Sequence, residues 1–274
     1  QVVIFDKQKS QWIKKNQIFV NGDIMDPDNL VNTLKDVHGV YHFAGISDIE
    51  QANNNSLEAV KQNILGTTNI LEACVEAKVL RFVFASSVYV YSDQGGFYRS
   101  TKQACELLIE NYNKLKNLNF TILRFGSLYG RRANRLNFIY DMIHQALTEG
   151  KMERYGDGEE MRDYIHVTDA AKSCVSILDD EYKNTYLMLT GDKTIKVRDL
   201  LNTIQQILDT KVTIHYLKDR AEEHYNITPY SFRPRTARKF NQKTQTDLGE
   251  GILDTIYEVY KNIYGQEKDK VIKK

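Results

Sequence analysis

Short apolar runs alternate with amphipathic helical patterns along the first half of the chain. Runs of this length, separated by helices, are typical of parallel strands that are covered on both faces. The alternation therefore predicts βαβ units and an α/β fold with a doubly wound parallel sheet. The runs are Val2–Asp6, Ile18–Asn21, Val40–Phe43, Arg81–Ala85 and Asn119–Phe125.

The longest helical patterns cover Ser56–Lys78 and Tyr98–Lys116. Beyond Gly130 the character of the sequence changes, since arginines cluster and a glycine-containing turn signal follows the next helical pattern. We therefore expect a first domain over residues 1–130 and a smaller mixed α/β lobe over residues 131–265. Charges of both signs alternate over residues 266–274, which predicts a disordered tail.

The composition excludes several classes of function. Lys and Arg total 37 against 36 for Asp and Glu, so the net charge of +1 offers no long-range field for nucleic acid or an anionic membrane. The 3 cysteines are far apart and have no metal-ligand spacing, which favours a reducing compartment over a disulfide framework or a structural zinc site. There is no apolar run long enough to span a membrane. We expect a soluble, cytoplasmic protein with no bound metal.

Asp6 ends the first predicted strand, at the sheet edge where doubly wound proteins bind ligands. An acid there can accept both hydroxyls of an adenosine ribose, which favours NAD over NADP. The alternative is a helix cap or a solvent-facing strand end. No glycine-rich phosphate loop precedes Asp6. Either a first strand, loop and helix precede Gln1, or the cofactor hypothesis is wrong.

A Tyr-x-x-x-Lys spacing places a phenol and an ammonium one helical turn apart. The sequence contains the spacing at Tyr98/Lys102, Tyr112/Lys116, Tyr257/Lys261 and Tyr264/Lys268, so the spacing alone carries little information. Only Tyr98/Lys102 begins a helix shortly after a buried strand that ends in Ser86-Ser87. This pair is the one that can meet a hydroxyl at the carboxyl edge of the sheet.

An ordered series of motifs resembles the extended short-chain dehydrogenases/reductases, and within them the NAD-dependent nucleotide-sugar epimerase/dehydratase family. The resemblance covers residues 1 to about 260, and the order of the motifs is more specific than any one of them. It implies a Rossmann-type NAD-binding domain followed by a lobe that binds a nucleoside-diphosphate sugar. The motifs are Asp6, Gly22-Asp23-Ile24, Val40 to Gly45, Asn63 to Thr67, Ser86-Ser87, Tyr98-x-x-x-Lys102, Leu123 to Gly130 and Arg162 to Val167.

The resemblance also implies roles for individual residues. Ser87, Tyr98 and Lys102 would be catalytic, with Tyr98 as the base and Lys102 as its electrostatic partner. Residues expected to bind NAD are Asp6, Asp23, Ile24, Phe43, Ala44, Gly45, Asn63, Tyr98, Lys102 and Phe125. Residues expected to bind the nucleotide sugar are Ser87, Ser127, Arg162 and Arg233, and a structural salt bridge is the alternative for each arginine.

The sequence departs from this family in three places. The connection from Ser87 to Tyr98 is shorter than the family's usual one, so the rim of the site must differ. Val88 and Tyr89 occupy the places where dehydratases carry an Asp-Glu pair, which disfavours a 4,6-dehydratase. Ser127 stands where many epimerases carry Asn.

These features predict an NAD-dependent oxidoreductase that acts at C4 of a nucleoside-diphosphate sugar, either a 4-epimerase or a 4-dehydrogenase. The short rim connection is similar to that of bacterial surface-polysaccharide enzymes, including GDP-heptose 4-dehydrogenases. A non-catalytic dinucleotide sensor or scaffold on the same fold is the alternative. The family also implies a homodimer, formed when the helices Ser56–Lys78 and Tyr98–Lys116 of two copies pack into a four-helix bundle.

Overall fold

The computed structural model describes residues 1–208, 211–218, 238–240 and 244–265. These residues form two compact units. The first contains Gln1–Arg124 and Ile177–Leu187, and the second contains Phe125–Ser176 together with most of the described residues from Met188 onward. The domain boundaries expected from composition stay a prediction.

Strands and helices alternate through the first unit, as the hydrophobic pattern predicts. The two units together contain the following strands and α-helices. The strands are β1 (Val2–Asp6), β2 (Gln17–Asn21), β3 (Gly39–His42), β4 (Arg81–Ser87), β5 (Phe120–Phe125), β6 (Ser127–Tyr129), β7 (Lys151–Tyr155), β8 (Met161–His166), β9 (Thr185–Leu189), β10 (Thr194–Lys196), β11 (Thr213–Leu217) and β12 (Arg238–Lys239). The α-helices are α1 (Pro27–Leu34), α2 (Ile49–Asn54), α3 (Ser56–Ala59), α4 (Gly66–Glu76), α5 (Gly96–Lys116), α6 (Phe138–Glu149), α7 (Val167–Ser176), α8 (Val197–Leu208) and α9 (Leu248–Tyr264).

The parallel sheet is divided into two parts. β1 pairs in parallel with β2, with Val2 opposite Gln17. A separate five-stranded sheet has the order β12-β9-β5-β4-β3, and β3 runs parallel to β4 with His42 opposite Phe84. Within the described residues, β1 therefore pairs only with β2 and β3 only with β4. Among the described residues, each of these two strands has one edge without a strand partner.

The core of the first unit lies between the sheet and helices α4 and α5. β4 and β5 are buried along almost their whole length, which is why they read as continuous apolar runs rather than alternating ones. Phe82 and Phe84 of β4 pack with Leu71 of α4 and Ile109 of α5. The expected α/β fold of Rossmann type is confirmed.

The helical pattern predicted over Ser56–Lys78 is a succession of three segments. α3 continues into a π-helical segment, Val60–Leu65, and then into α4. A π-helical segment carries extra residues per turn and is found often at functional sites. Within the described residues, no helix combines the length and the apolar character that a membrane span needs.

The second unit has its own small sheets and its own core. β8 lies between β10 and β6, and β7 pairs in parallel with β11. Helices α6, α8 and α9 supply the buried residues Ile143, Leu200, Ile204 and Ile252.

Candidate active site

Ser87 lies at the carboxyl end of the buried strand β4. Its side chain is buried, and its Oγ accepts a hydrogen bond of 3.3 Å from the backbone N–H of Tyr89. This bond caps a short 3-10 helix, Val88–Tyr91, which carries the chain away from the sheet. The cap fixes the serine hydroxyl at the edge of the sheet where α/β proteins bind ligands.

Tyr98 and Lys102 lie one turn apart in the first half of α5, and both are buried. The Lys102 Nζ donates a hydrogen bond of 2.8 Å to the backbone oxygen of Ala85 in β4. It also lies 4.8 Å from the centroid of the Phe84 ring and 5.8 Å from that of Tyr98. The structure thus brings the lysine, the tyrosine ring and the end of β4 together. Ala85 precedes Ser87 by two positions in the same strand.

Burial lowers the pKa of Lys102 to about 8, because the charged form loses hydration, while Cys105 and Glu106 act in the opposite direction. The hydrogen bond to the Ala85 carbonyl and the contacts with the Phe84 and Tyr98 rings partly replace the hydration that the Lys102 ammonium loses on burial. A lysine with a lowered pKa at a sheet edge is typical of functional sites.

Asn63 connects the loop after β3 to the helix that carries Tyr98. Its Oδ1 accepts from Ile46 N at 2.7 Å, and its Nδ2 donates to Ile46 O at 3.0 Å and to Thr101 Oγ1 at 2.9 Å. Thr101 in turn donates to the backbone oxygen of Tyr98. Asn63, which belongs to the π-helical segment, therefore links Ile46 in the loop after β3 to Thr101 in α5.

The loop after β3 exposes its backbone beside Asn63. Phe43, Ala44 and Gly45 are all exposed, and Gly45 has a φ of +136°, which a residue with a Cβ adopts only under strain. An ideal Cβ on Gly45 would lie 2.7 Å from Asn63 Oδ1. Exposed backbone and a buried ammonium at the carboxyl ends of parallel strands fit the nicotinamide-ribose end of NAD.

The predicted adenosine-binding residues lie at the ends of β1 and β2. Asp6 Oδ1 accepts a hydrogen bond of 2.9 Å from Gln8 N, which leaves carboxylate acceptor capacity for a ribose. Asp23 forms an ion pair of 2.8 Å with Lys7, and this contact lowers its pKa. The Ile24 side chain is buried in the core. The printed sequence has no glycine-rich turn ahead of Asp6, so no residue is assigned to the pyrophosphate.

Three further predicted residues, Phe125, Ser127 and Arg162, belong to the second unit. Phe125 is buried, and Ser127 begins β6 opposite Tyr164 of β8. Arg162 is buried in β8, and its guanidinium donates to Met161 O at 3.0 Å. Arg233 lies outside the described residues. Among the residues that are described, no group of 3 or more His, Cys, Asp or Glu side chains could hold a metal ion.

Sequence reasoning missed His42, the last residue of β3. Thr67 Oγ1 donates its one hydrogen to Asn63 O at 2.5 Å, so the 2.8 Å contact between Thr67 Oγ1 and His42 Nε2 needs the imidazole as donor. The network places a proton on Nε2. Burial, and secondarily the charge of Lys102, lower the pKa of His42 to about 3.

His42 should make the protein sensitive to acid. In the unfolded chain the imidazole takes up a proton as the pH falls below about 6.5, whereas the folded protein excludes it until about pH 3. The free energy of unfolding should therefore fall across this window, by about 4 kcal/mol from this residue alone. Urea denaturation at several pH values would show a shallower pH dependence for His42→Gln than for the wild type. His215→Gln, at an exposed position, is the control, and an equal slope in all three proteins would contradict this assignment.

A second missed feature is a buried ion pair behind Ser87. Arg124 of β5 contacts Glu106 of α5 through two bonds, Nε to Oε1 at 3.0 Å and Nη2 to Oε2 at 2.7 Å. Ser86 Oγ donates to the same carboxylate at 2.5 Å, and Arg124 also hydrogen-bonds the Tyr91 hydroxyl. The Arg124 guanidinium lies 4.6 Å from the ring centroids of both Tyr91 and Tyr186. The network joins β4, β5 and α5 directly behind the catalytic candidates.

Comparison with known families gives one match that covers most of the first unit. The model of the NAD dependent epimerase/dehydratase family matches residues 1–187. A putative UDP-glucose 4-epimerase of Methanocaldococcus jannaschii is 30% identical over 253 residues, which cover 85% of this chain and 81% of that protein.

A longer relative and a solved structure agree with this match. A trifunctional UDP-glucose 4,6-dehydratase, epimerase and reductase of Arabidopsis thaliana is 26% identical over 260 residues. The match covers 87% of this chain but 39% of the plant protein. The crystal structure of UDP-glucose 4-epimerase from Thermotoga maritima with UDP-glucose has a TM-score of 0.84 and 19% identity, with 96% of this chain and 91% of that chain covered. At this identity the likeness shows the fold.

Proposed function

This chain belongs to the NAD-dependent epimerase/dehydratase family of enzymes, and from that premise we propose that it acts at C4 of a nucleoside-diphosphate sugar, as a 4-epimerase or a 4-dehydrogenase. The observation that carries the proposal is the position of Lys102. Its ammonium lies beside the Tyr98 ring and is hydrogen-bonded to the backbone oxygen of Ala85. Ala85 is two positions before Ser87 in β4. A hydroxyl, a phenol and an ammonium at one sheet edge are the groups that this chemistry needs.

Tyr98 acts as the general base in this proposal. The phenolate form of Tyr98 takes the proton of the substrate hydroxyl and becomes a phenol, and Ser87 donates a hydrogen bond that holds the substrate oxygen. Lys102 stabilises this phenolate: its Nζ lies 5.8 Å from the centroid of the Tyr98 ring, and at that separation and an effective dielectric constant of about 20 one ammonium contributes about 3 kcal/mol. The hydrogen bond to Ala85 O keeps that ammonium in place.

The chain's residues also define how the cofactor and the sugar are held. Asp6 would accept the ribose hydroxyls of NAD, and Phe43, Ala44 and Gly45 would lie along its nicotinamide half. When bound, NAD supplies the oxidation of the carbon that carries the substrate hydroxyl. The buried Arg162 and the nearby Ser127 would contact the substrate's diphosphate and sugar in the second unit.

The relatives support the class of substrate, and the two residues after Ser87 support the type of reaction. The archaeal relative is named a putative UDP-glucose 4-epimerase, which supports a nucleoside-diphosphate sugar. Val88 and Tyr89 provide no acid for the elimination that a 4,6-dehydratase performs, so we propose epimerisation or dehydrogenation instead. A place in the synthesis of bacterial surface polysaccharides is part of this proposal.

The experiment is incubation of the purified protein and NAD with UDP-, dTDP- and GDP-sugars. NADH absorbance and product stereochemistry are followed together. An inverted C4 without net NADH supports an epimerase, and a 4-keto product with NADH supports a dehydrogenase. A 6-deoxy-4-keto product, or no turnover of any of these sugars, contradicts the proposal.

We also propose that the protein is a homodimer. α3 and α4 both pack against α5. Leu57 of α3 is 79% exposed, and Leu115 near the end of α5 is 76% exposed. A second copy that packs on these helices would bury them.

Light scattering at micromolar concentration should report a dimer, and Leu57→Lys with Leu115→Lys should shift it to the monomer. Leu136→Lys is the matched control, because Leu136 is as exposed but belongs to the second unit. A monomeric wild type would contradict this proposal.

A further inference from the structure

Helix α5 begins two residues before Tyr98, and its first turn lacks a cap from its own chain segment. The residue before the helix, Gly95, has no side chain to accept a hydrogen bond from the first N–H groups. Uncapped N–H groups at a helix start are costly to leave unpaired, and they allow the first turn to fray. Tyr98 lies in this turn, so its position depends on how the helix start is held.

Asn53, at the end of α2, supplies the missing cap from a distant part of the chain. Its Oδ1 accepts a hydrogen bond of 3.0 Å from the backbone N–H of Phe97, the residue before Tyr98. Gly96 permits this approach, since its φ is +47° and an ideal Cβ there would overlap the Asn53 side-chain amide. Any other residue at position 96 would have a strained backbone and would displace the side-chain amide of Asn53 from the helix start.

α2 also packs directly around the Tyr98 side chain. Ile49 and Ala52 of α2 are buried in a cluster with Tyr98, and Ile46 and Tyr89 pack against it. The Tyr89 ring lies edge-on to the Tyr98 ring at 6.1 Å. Helix α2 therefore packs against the ring of Tyr98, and its residue Asn53 also caps the helical turn that contains Tyr98.

The connection after Ser87 is tied to the same helix. Arg99 donates to Ser92 O at 2.7 Å, and Gln103 donates to Val90 O at 2.9 Å. These bonds hold residues 88–92 against α5 but leave the Gly95-Gly96 pair without side-chain support. Asn53 contacts the helix at this point.

We propose that Asn53 is a positioning residue for the proton transfer of Tyr98. The cap at Phe97 fixes the start of α5, and the bond from Lys102 to Ala85 fixes its next turn. Together the two anchors set the distance between the phenol and the end of β4. This inference rests on the proposed function, because it assigns Asn53 to a step in which Tyr98 is the base.

The test compares Asn53→Ala, Asn53→Asp and Asn54→Ala. Alanine removes the acceptor, whereas aspartate keeps it and adds a negative charge that a helix N-terminus favours. Asn54 is the neighbouring exposed residue of α2 and serves as the matched control. Each variant is measured for kcat and KM with the nucleotide sugar that the wild type converts, for NAD affinity by fluorescence titration, and for Tm.

Asn53→Ala should lower kcat by about 10- to 100-fold, since a small misplacement of a reacting group has an effect of this size. KM and NAD affinity should change by less than about threefold, because the group acts in the chemical step rather than in binding. Asn53→Asp should restore most of kcat, and Asn54→Ala should resemble the wild type.

Three results would overturn the role of Asn53: an unchanged kcat in Asn53→Ala, an equal loss of kcat in Asn53→Asp, or a loss confined to KM or NAD affinity. Tyr98→Phe in the same assay separates this inference from the proposed function. If Tyr98→Phe keeps its turnover, the proposed function fails and the role of Asn53 fails with it. If Tyr98→Phe is inactive while Asn53→Ala is fully active, only the role of Asn53 fails.

Discussion

Tyr98→Phe should lower kcat by about 10²- to 10⁴-fold, the usual contribution of a general base, while NAD still binds. The phenylalanine ring keeps the packing against Tyr89 and the α2 cluster, but it cannot take a proton. Lys102 keeps its hydrogen bond to Ala85 O, so the helix and the cofactor-binding edge stay in place. Single-turnover kinetics with the nucleotide sugar, together with NAD titration, measures the two effects separately.

Tyr112→Phe is the control for this substitution. Tyr112 lies on the same helix and is also followed by lysine at the fourth position, but its hydroxyl binds Glu72. This variant should keep the turnover of the wild type. If Tyr98→Phe and Tyr112→Phe are equally active, the protein uses another base, or it is the non-catalytic dinucleotide protein that the sequence left as an alternative.

Glu106→Ala should destabilise the first unit by about 3–5 kcal/mol, because it leaves the Arg124 charge buried without its carboxylate. Both side chains of this pair are almost completely buried, and the carboxylate also accepts from Ser86. Urea denaturation followed by circular dichroism measures the loss. The expected loss is a large fraction of the unfolding free energy of an ordinary domain, which is about 5–15 kcal/mol.

Two further variants test the origin of this loss. Arg135→Ala removes an ion pair whose arginine is exposed to solvent, so it should cost far less stability than Glu106→Ala. Glu106→Leu combined with Arg124→Met replaces both charges by apolar groups, and it should cost less than Glu106→Ala alone. A double variant that is less stable than Glu106→Ala would show that the pair contributes more than the avoidance of an unpaired charge.

The sequence predicts β1 to β5 and the Tyr98/Lys102 pair well, because both signals are local. β4 and β5 each contain a short apolar run, and a four-residue spacing in a helix determines which side chains are neighbours. What each predicted site residue does in the reaction stays a proposal.

The missed contacts join residues that are distant in sequence. Asn53 caps a helix that starts more than forty positions later, and Glu106 pairs with a residue of the next strand. One signal could have found the ion pair, since an arginine inside an apolar strand needs a buried partner. Another could have found the cap, since a glycine pair before a long helix provides no acceptor of its own. Neither signal predicts which residue is the partner, because Glu106 and Asn53 reach their contacts only when the chain is packed.

Among the residues that the structure describes, β1 and β3 each have one edge with no strand partner, and this has a consequence for handling a polypeptide in which these edges stay open. A strand edge presents free N–H and C=O groups that can add a strand from any polypeptide by β-augmentation. On a face of β1, beside this edge, the apolar side chain of Val2 is 51% exposed. The solubility of this polypeptide in concentrated solution should therefore depend on what covers that edge, rather than on its nearly balanced charge.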